Sequence, residues 1–512
     1  MMKNTYFYII AIIVFSSLLF SNCTKLDEEV YDQLPVDEFG ENEKELKALV
    51  APIYRSLKDV FPNDYFLISE QSSDMAITPT RNGGDWWDGG QFKELRLHKW
   101  TPNTAVIRNA YDNAFKGITN CNKIYSLIDG IEEVENKEEI LAEIRGVRAY
   151  WYYLLLDNYG NVPIVTDFED TELPETKSRK EVYSFVLDEL NEIKDLVRSD
   201  VTSASYGKVT KGFIYTLLAK MYLNANVWNP DGGEKWQEVI DACDVVMDLP
   251  YMLEPNWKDN FSVHNENSTE TIFPIVFSTA DGGNGLVIRS LHYLDPIALG
   301  LNISTNNGIC AMPGYVKSFD EEDLRKEGSF LLGPMTDPVT GETLITAHNR
   351  PLIHTEEVEM KYNIDSDGWG QVEQEDGGRV AKWEIEKGLN GDSENDFAIF
   401  RLADVYLMKA EALVRLGVDN QEATRLINEI RARAFEDDPS KLKNSVNLED
   451  IYEERRFELA WEVHSRQDMI RFGTFLEPIP GWKEKTDSKY LLFPIPTTAM
   501  DANHRLEQNP GY

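Results

Sequence analysis

Glu454–Gly473 reads ERRFELAWEVHSRQDMIRFG, and its spacing sets the architecture expected of the whole chain. Glu454, Glu458, Glu462 and Arg466 recur at i, i+4 intervals, which predicts one helix carrying a charged stripe, while Arg455 and Arg456 can fork toward carboxylates elsewhere. The pattern predicts an ion-pair network that positions helices, not a catalytic group. This segment is the core of a longer predicted helix, LEDIYEERRFELAWEVHSRQDMIRFG. Just upstream, FRLADVYLMKAEALVRLG and QEATRLINEIRARA give a helix pair over Arg401–Ala434, divided at Gly417 and about the size of a tetratricopeptide unit without its strict signature.

Toward the N-terminus the same periodicity predicts helices at 41–59, 104–129, 137–158, 179–198, 209–226 and 234–248. In LAEIRGVRAYWYYLLLDNYG, Ile144, Val147, Trp151 and Leu154 or Leu155 share a face, and the helix stops at Gly160 ahead of Pro163. KVTKGFIYTLLAKMYLNANVW begins at the cap residue Thr210 and stripes Phe213, Leu217, Met221 and Ala225. Between the two helical blocks, residues 250–395 change character to glycines, prolines, short apolar runs such as TIFPIVF, and turn clusters such as DGGNG and DSDGWG. The expected fold is therefore mostly α: a tetratricopeptide-like helical scaffold with a loop-rich middle region containing a few short strands.

Composition narrows the partners. The chain has 512 residues, 42% hydrophobic and 27% charged, which excludes disorder as its general state. Lys plus Arg at 51 against Asp plus Glu at 88 gives −37, so nucleic acid is excluded as a natural partner by charge repulsion. No CxxC spacing links Cys121, Cys243 and Cys310, and no HExxH appears among seven histidines. Neither a metal site nor a cofactor is expected. Asp365 and Asp367 in DSDGWGQ are spaced like the start of a calcium loop, but a turn with solvated acids is the simpler expectation.

At the start, Lys3 precedes the uncharged run YFYIIAIIVFSSLLF (Tyr6–Phe20), too short for a comfortable membrane span and laid out as a secretory signal. The run ends FSNC, so it resembles a bacterial lipoprotein signal in which Cys23 becomes the acylated first residue; a plain signal with an incidental cysteine is the alternative. The acidic stretch TKLDEEVYDQ follows as a solvated tether.

Five stretches together resemble the SusD/RagB family of surface lipoproteins: ERRFELAWEVHSRQDMIRFG, GVRAYWYYLLLDNYGNVPIV, KVTKGFIYTLLAKMYLNA, FRLADVYLMKAEAL and the terminus LLFPIPTTAMDANHRLEQNPGY. That resemblance implies a signal peptide at 1–22, a lipidated tether at 23–40 and a single domain at 41–512, with an N-terminal helical part (41–250), a loop-rich part (251–395) and C-terminal helices with a docked tail (396–512). It also implies an outer-membrane, lipid-anchored position at the cell surface. The implied function is capture of oligosaccharides and delivery to a SusC-type TonB-dependent transporter, without catalysis. A peptide-binding RagB-type role is the alternative. A glycoside hydrolase would need two carboxylates about 5–5.5 or 6.5–9.5 Å apart across a cleft, and no pair stands out in the sequence.

Ligand contacts are expected on loops, above all RNGGDWWDGG (81–90), where Trp86 and Trp87 lie among acids and glycines. A pyranose packs its C–H face on an indole while flanking groups bond its hydroxyls. Arg81, Asn82 and Asp85 are the flanking candidates, with Asp88 beside them, and His292, Tyr293 and Trp369 are further candidates on other loops. Adjacent residues of an extended chain point oppositely, so one tryptophan is expected to face ligand and the other to anchor the loop.

Overall fold

The computed structural model describes residues 43–512, apart from Glu133, Thr279 and Asp281. The predicted signal, Cys23 and tether lie outside the described residues. The helices that carry the fold are α1 (Glu43–Val60), α2 (Ala105–Gly130), α3 (Lys137–Asn158), α4 (Arg179–Ile193), α5 (Lys211–Leu223), α6 (Trp236–Met247), α7 (Leu402–Leu416), α8 (Asn420–Ala434), α9 (Leu448–Glu458) and α10 (Ser465–Arg471). Four short strands matter below: β1 (Thr80–Arg81), β2 (Thr271–Ile275), β3 (Gln371–Val372) and β4 (Phe397–Arg401).

Successive helices pack on one another, α1 on α2, α2 on α3, α3 on α4 and α5 on α6. Then α6 packs directly on α7, so the scaffold resumes after the long middle excursion as though uninterrupted. The antiparallel pair β2–β4 brings the ends of that excursion together, with Phe397 opposite Ile275 and Arg401 opposite Thr271. The architecture is the expected helical scaffold bearing a loop-rich middle.

Local chemistry explains the boundaries. The Thr210 hydroxyl accepts from the Phe213 amide at the start of α5, and Ser178 with Glu181 forms a reciprocal capping box at α4. Asn447 and Asp450 do the same for α9. Helix α3 departs from the one-faced expectation: from Gly146 to Asn158 every residue is buried, because aromatic and aliphatic side chains surround the helix on all sides. Gly117 on α2 permits its close approach, since a Cβ there would fall 2.2 Å from the Trp151 ring. Cys121, Cys243 and Cys310 are free and buried, the first two inside helices. Trp228 and Trp257 are core residues, and Tyr512 docks the tail by accepting from the Trp100 indole at 2.7 Å.

The single helix expected over 448–473 is broken. It stops at Glu458 and restarts at Ser465, with Trp461 and Val463 in left-handed backbone at φ 67° and 61°. Cations draw the chain out of the helix: Lys382 Nζ donates to the carbonyls of Glu458 (2.9 Å) and Ala460 (2.8 Å), and Arg401 Nη2 to that of Glu458 (2.7 Å). Glu454, Glu458, Glu462 and Arg466 therefore do not form one stripe. The ion-pair network itself is present, with Glu458 touching Arg325, Arg401 and Arg433, and Glu462 touching Arg401 and Lys382.

Candidate functional site

β1 runs parallel to β3, Thr80 beside Gln371 and Arg81 beside Val372, and this pairing fixes the start of the 81–90 loop against the 371–376 segment. The Asn82 amide continues the pairing to the Val372 carbonyl at 2.7 Å, and the Arg81 amide closes the turn on the Asp85 carbonyl at 2.9 Å. Arg81 itself is fully buried. Its guanidinium donates to the carbonyls of Asn307, Gly308, Glu373 and Asp376, so it pins three loops together and cannot present itself to a ligand as the sequence suggested.

The two tryptophans divide as expected, but for another reason. The chain is not extended there: Trp86 has φ 64° and Trp87 has φ −67° and ψ −45°, and the switch between left- and right-handed backbone separates the rings. The Trp86 indole donates to the Asn306 carbonyl at 2.7 Å, lies 5.8 Å from the Phe92 ring, and rests on Gly308, where a Cβ would come within 2.6 Å. Trp87 is 48% exposed, with its ring edge over Gly90, whose φ of 88° and lack of a side chain suit that approach.

The loop is also linked to other exposed aromatics through hydrogen bonds. Tyr293, 39% exposed, donates its hydroxyl to Asp85 Oδ2 at 2.7 Å. Burial and then that carboxylate raise the Tyr293 pKa, so the hydroxyl stays protonated and oriented. Tyr362, equally exposed, donates to Glu373, whose other oxygen accepts from Asn82 Nδ2 at 3.4 Å. Among the described residues, the exposed aromatics are Trp87, Phe168, Tyr293 and Tyr362, and all but Phe168 are tied to this loop.

Two other expected ligand residues are support. His292 is buried; its Nδ1 accepts from the Leu294 amide, and burial with the nearby Arg379 charge pushes its pKa down to about 3, so it is neutral. Trp369 is buried and donates its indole N–H to Thr80 Oγ1 at 3.3 Å, beneath the loop's first residues. Asp365 and Asp367 hold Lys93 at 2.6 and 2.7 Å, and Asp367 also holds Lys99, which clamps the 365–369 turn to the short helix Gln91–Leu97. Among the described residues no group of His, Cys, Asp or Glu gathers as a metal site. Tyr362 was missed from sequence; its only signal was an aromatic among polar residues just ahead of the DSDGWG turn.

Exposed aromatics tied to one loop, with hydrogen-bonding groups held in place beside them, suit binding, and comparison with known proteins agrees. The family profile described as starch-binding and associating with the outer membrane matches residues 26–223, and the SusD family profile matches 355–479. The chain resembles the SusD family in both its N-terminal and its C-terminal parts. The starch-binding protein SusD of Bacteroides thetaiotaomicron is 25% identical over 467 residues, covering 83% of this chain and 82% of that protein. Among solved structures, a SusD superfamily protein from Parabacteroides distasonis superposes with a TM-score of 0.75 at 22% identity, over 94% of this chain and 100% of that one. The surface glycan-binding protein A of Bacteroides thetaiotaomicron, solved with laminarihexaose, gives 0.70 at 18% identity, over 91% and 99%. These likenesses fix the fold. The Bacteroides thetaiotaomicron relative is a starch-binding protein by name, and among the described residues of this chain no helix is long and apolar enough to cross a membrane.

Proposed function

We propose that this protein is a cell-surface lipoprotein that captures oligosaccharides on the Trp87 face and passes them to a SusC-type TonB-dependent transporter, without cleaving them. The observation that carries the reading is Trp87: a large ring left half in solvent on a loop that Arg81, Trp86 and the Lys93 pairs hold rigid. A preformed platform loses little freedom when a sugar stacks on it. Asn82, Asp85, Tyr293 and Tyr362 supply the polar contacts, while Arg81, His292 and Trp369 act from below. The glycan-binding relatives support this choice of ligand. Cys23 carries the lipid, and because one acyl chain binds a membrane only marginally, several are needed for permanent anchoring.

Calorimetry of the purified protein against an oligosaccharide panel tests the ligand, and co-purification in mild detergent tests the partner. Saturable glycan binding with no release of reducing ends is expected, together with a co-purifying transporter. Glycan turnover by the pure protein, or binding of peptides in place of glycans, would overturn the reading.

A further inference from the structure

Charge at the Trp87 face carries information about the ligand beyond the reading above, on which it rests. Arg289, next to Gly308, gives its Nη1 to the Pro62 carbonyl at 3.1 Å, and four further partly exposed cations, Lys93, Lys99, Arg350 and Lys361, lie on segments beside the loop. Each of these four already holds a carboxylate: Lys93 sits between Asp365 and Asp367 at 2.6 and 2.7 Å, Lys99 reaches Asp367 at 2.7 Å, Lys361 reaches Glu359 at 3.2 Å, and Arg350 binds Glu375 with Glu373 beyond it at 3.6 Å. Below them Arg81 and Arg379 are fully buried. Arg81 is engaged by carbonyls, and Arg379 Nη2 by Asn307 Oδ1 and the Gln374 carbonyl.

On the loop itself, Asp85 and Asp88 are both exposed and flank the tryptophan pair in sequence. Asp85 gives one oxygen to Tyr293, and Asp88 sits in left-handed backbone at φ 40°. A carboxylate only accepts hydrogen bonds, so its natural partner here is a hydroxyl that donates. The carboxylate of a uronate, or a sulfate ester group, likewise only accepts, and it would meet Asp85 and Asp88 as acceptor against acceptor and charge against like charge. To bind, it would have to displace an existing ion pair. The overall charge of −37 adds repulsion at longer range.

We infer that this face takes uncharged oligosaccharides and rejects uronate- and sulfate-bearing ones. The test is calorimetry of the detergent-solubilised protein with unsubstituted gluco-, manno-, xylo- and galacto-oligosaccharides, with oligogalacturonate and with sulfated galactan oligosaccharides, at low and high salt. At least one neutral series should bind with an affinity that salt leaves unchanged, and the anionic series should bind at least tenfold more weakly. In the Asp85→Asn/Asp88→Asn double variant, where Asn keeps the left-handed backbone accessible, that anionic deficit should shrink severalfold. Tight binding of an anionic series that weakens as salt rises would overturn the inference and leave the glycan-binding reading intact. Binding of no series at all would overturn both.

Discussion

A Cβ built on Gly308 would stand 2.6 Å from the Trp86 ring, and the indole beside it reaches the Asn306 carbonyl at 2.7 Å. Trp86 is therefore seated in a slot shaped by the 306–308 segment, while Trp87 projects from the same loop into solvent. Gly308→Ala should unseat Trp86 at a cost of about 1–3 kcal/mol, typical of overpacking, and should weaken glycan binding by loosening the platform. A melting curve and calorimetry on the variant check both effects.

Trp86→Ala and Trp87→Ala should separate. Loss of Trp87 removes a stacking surface and little else, so affinity should fall by roughly thirtyfold, the equivalent of about 2 kcal/mol, with an unchanged melting temperature. Loss of Trp86 empties a slot and orphans the Asn306 carbonyl, so melting temperature and affinity should fall together. If Trp87→Ala binds as well as the wild type, the ligand sits elsewhere.

What could be read from the sequence follows from the range of the forces involved. Helices α1 to α8 were legible because 3.6-residue periodicity and caps such as Thr210 and Ser178 are local. The break after Glu458 was not, because its cause is Lys382 and Arg401, distant in sequence and aimed at carbonyls that every residue possesses. The same limit governed the site. That one tryptophan of the pair would be exposed was legible, but which one depended on Asn306 and Gly308. The burial of Arg81, His292 and Trp369 was hidden because a polar or aromatic residue in a loop reads alike whether it faces solvent or pins the loop from beneath.

Glu458 lies at the centre of the buried network with Arg325, Arg401 and Arg433, at 3.0, 2.6 and 2.7 Å. Glu458→Gln would leave these guanidiniums undercompensated, and stability should drop by about 3–5 kcal/mol, as for other broken buried pairs. The exposed pair Lys485–Glu477 provides the contrast: Lys485→Ala should leave the melting curve unmoved. Denaturant titration of both variants measures the difference, and equal losses would mean that burial confers no special role on Glu458.

Acid should unfold the protein through this same network. Burial alone would raise Glu270 and Glu458, but Arg433 and Arg401 outweigh it and hold both carboxyls below their ordinary range. Depressed folded values mean that their stabilisation is fully present above the unfolded carboxyl pKa of about 4.3 and is lost as pH falls through the folded values. Stability measured by urea melts should therefore fall steeply below about pH 4. Glu458→Gln should reduce that slope; a slope identical to the wild type would place the acid sensitivity in other carboxylates.

Glu70 should produce the opposite dependence. It is wholly buried on the short helix Phe66–Glu70, and neither carboxyl oxygen completes a hydrogen bond, although the Ser465 hydroxyl and amide lie close enough to ease its position. Burial pushes its pKa up to about 8. Because the folded value exceeds the unfolded one, folding takes up a proton between about pH 4.3 and 8, and stability falls as pH rises through that window. Glu70→Gln keeps the shape without the ionisation. Its stability should lie within about 1 kcal/mol of the wild type near pH 5 and exceed it by roughly 3–5 kcal/mol at pH 9, an upper bound set by the size of the shift. Urea melts of both proteins at pH 5, 7 and 9 decide the matter, and parallel curves across that range would show that Glu70 carries no proton of consequence.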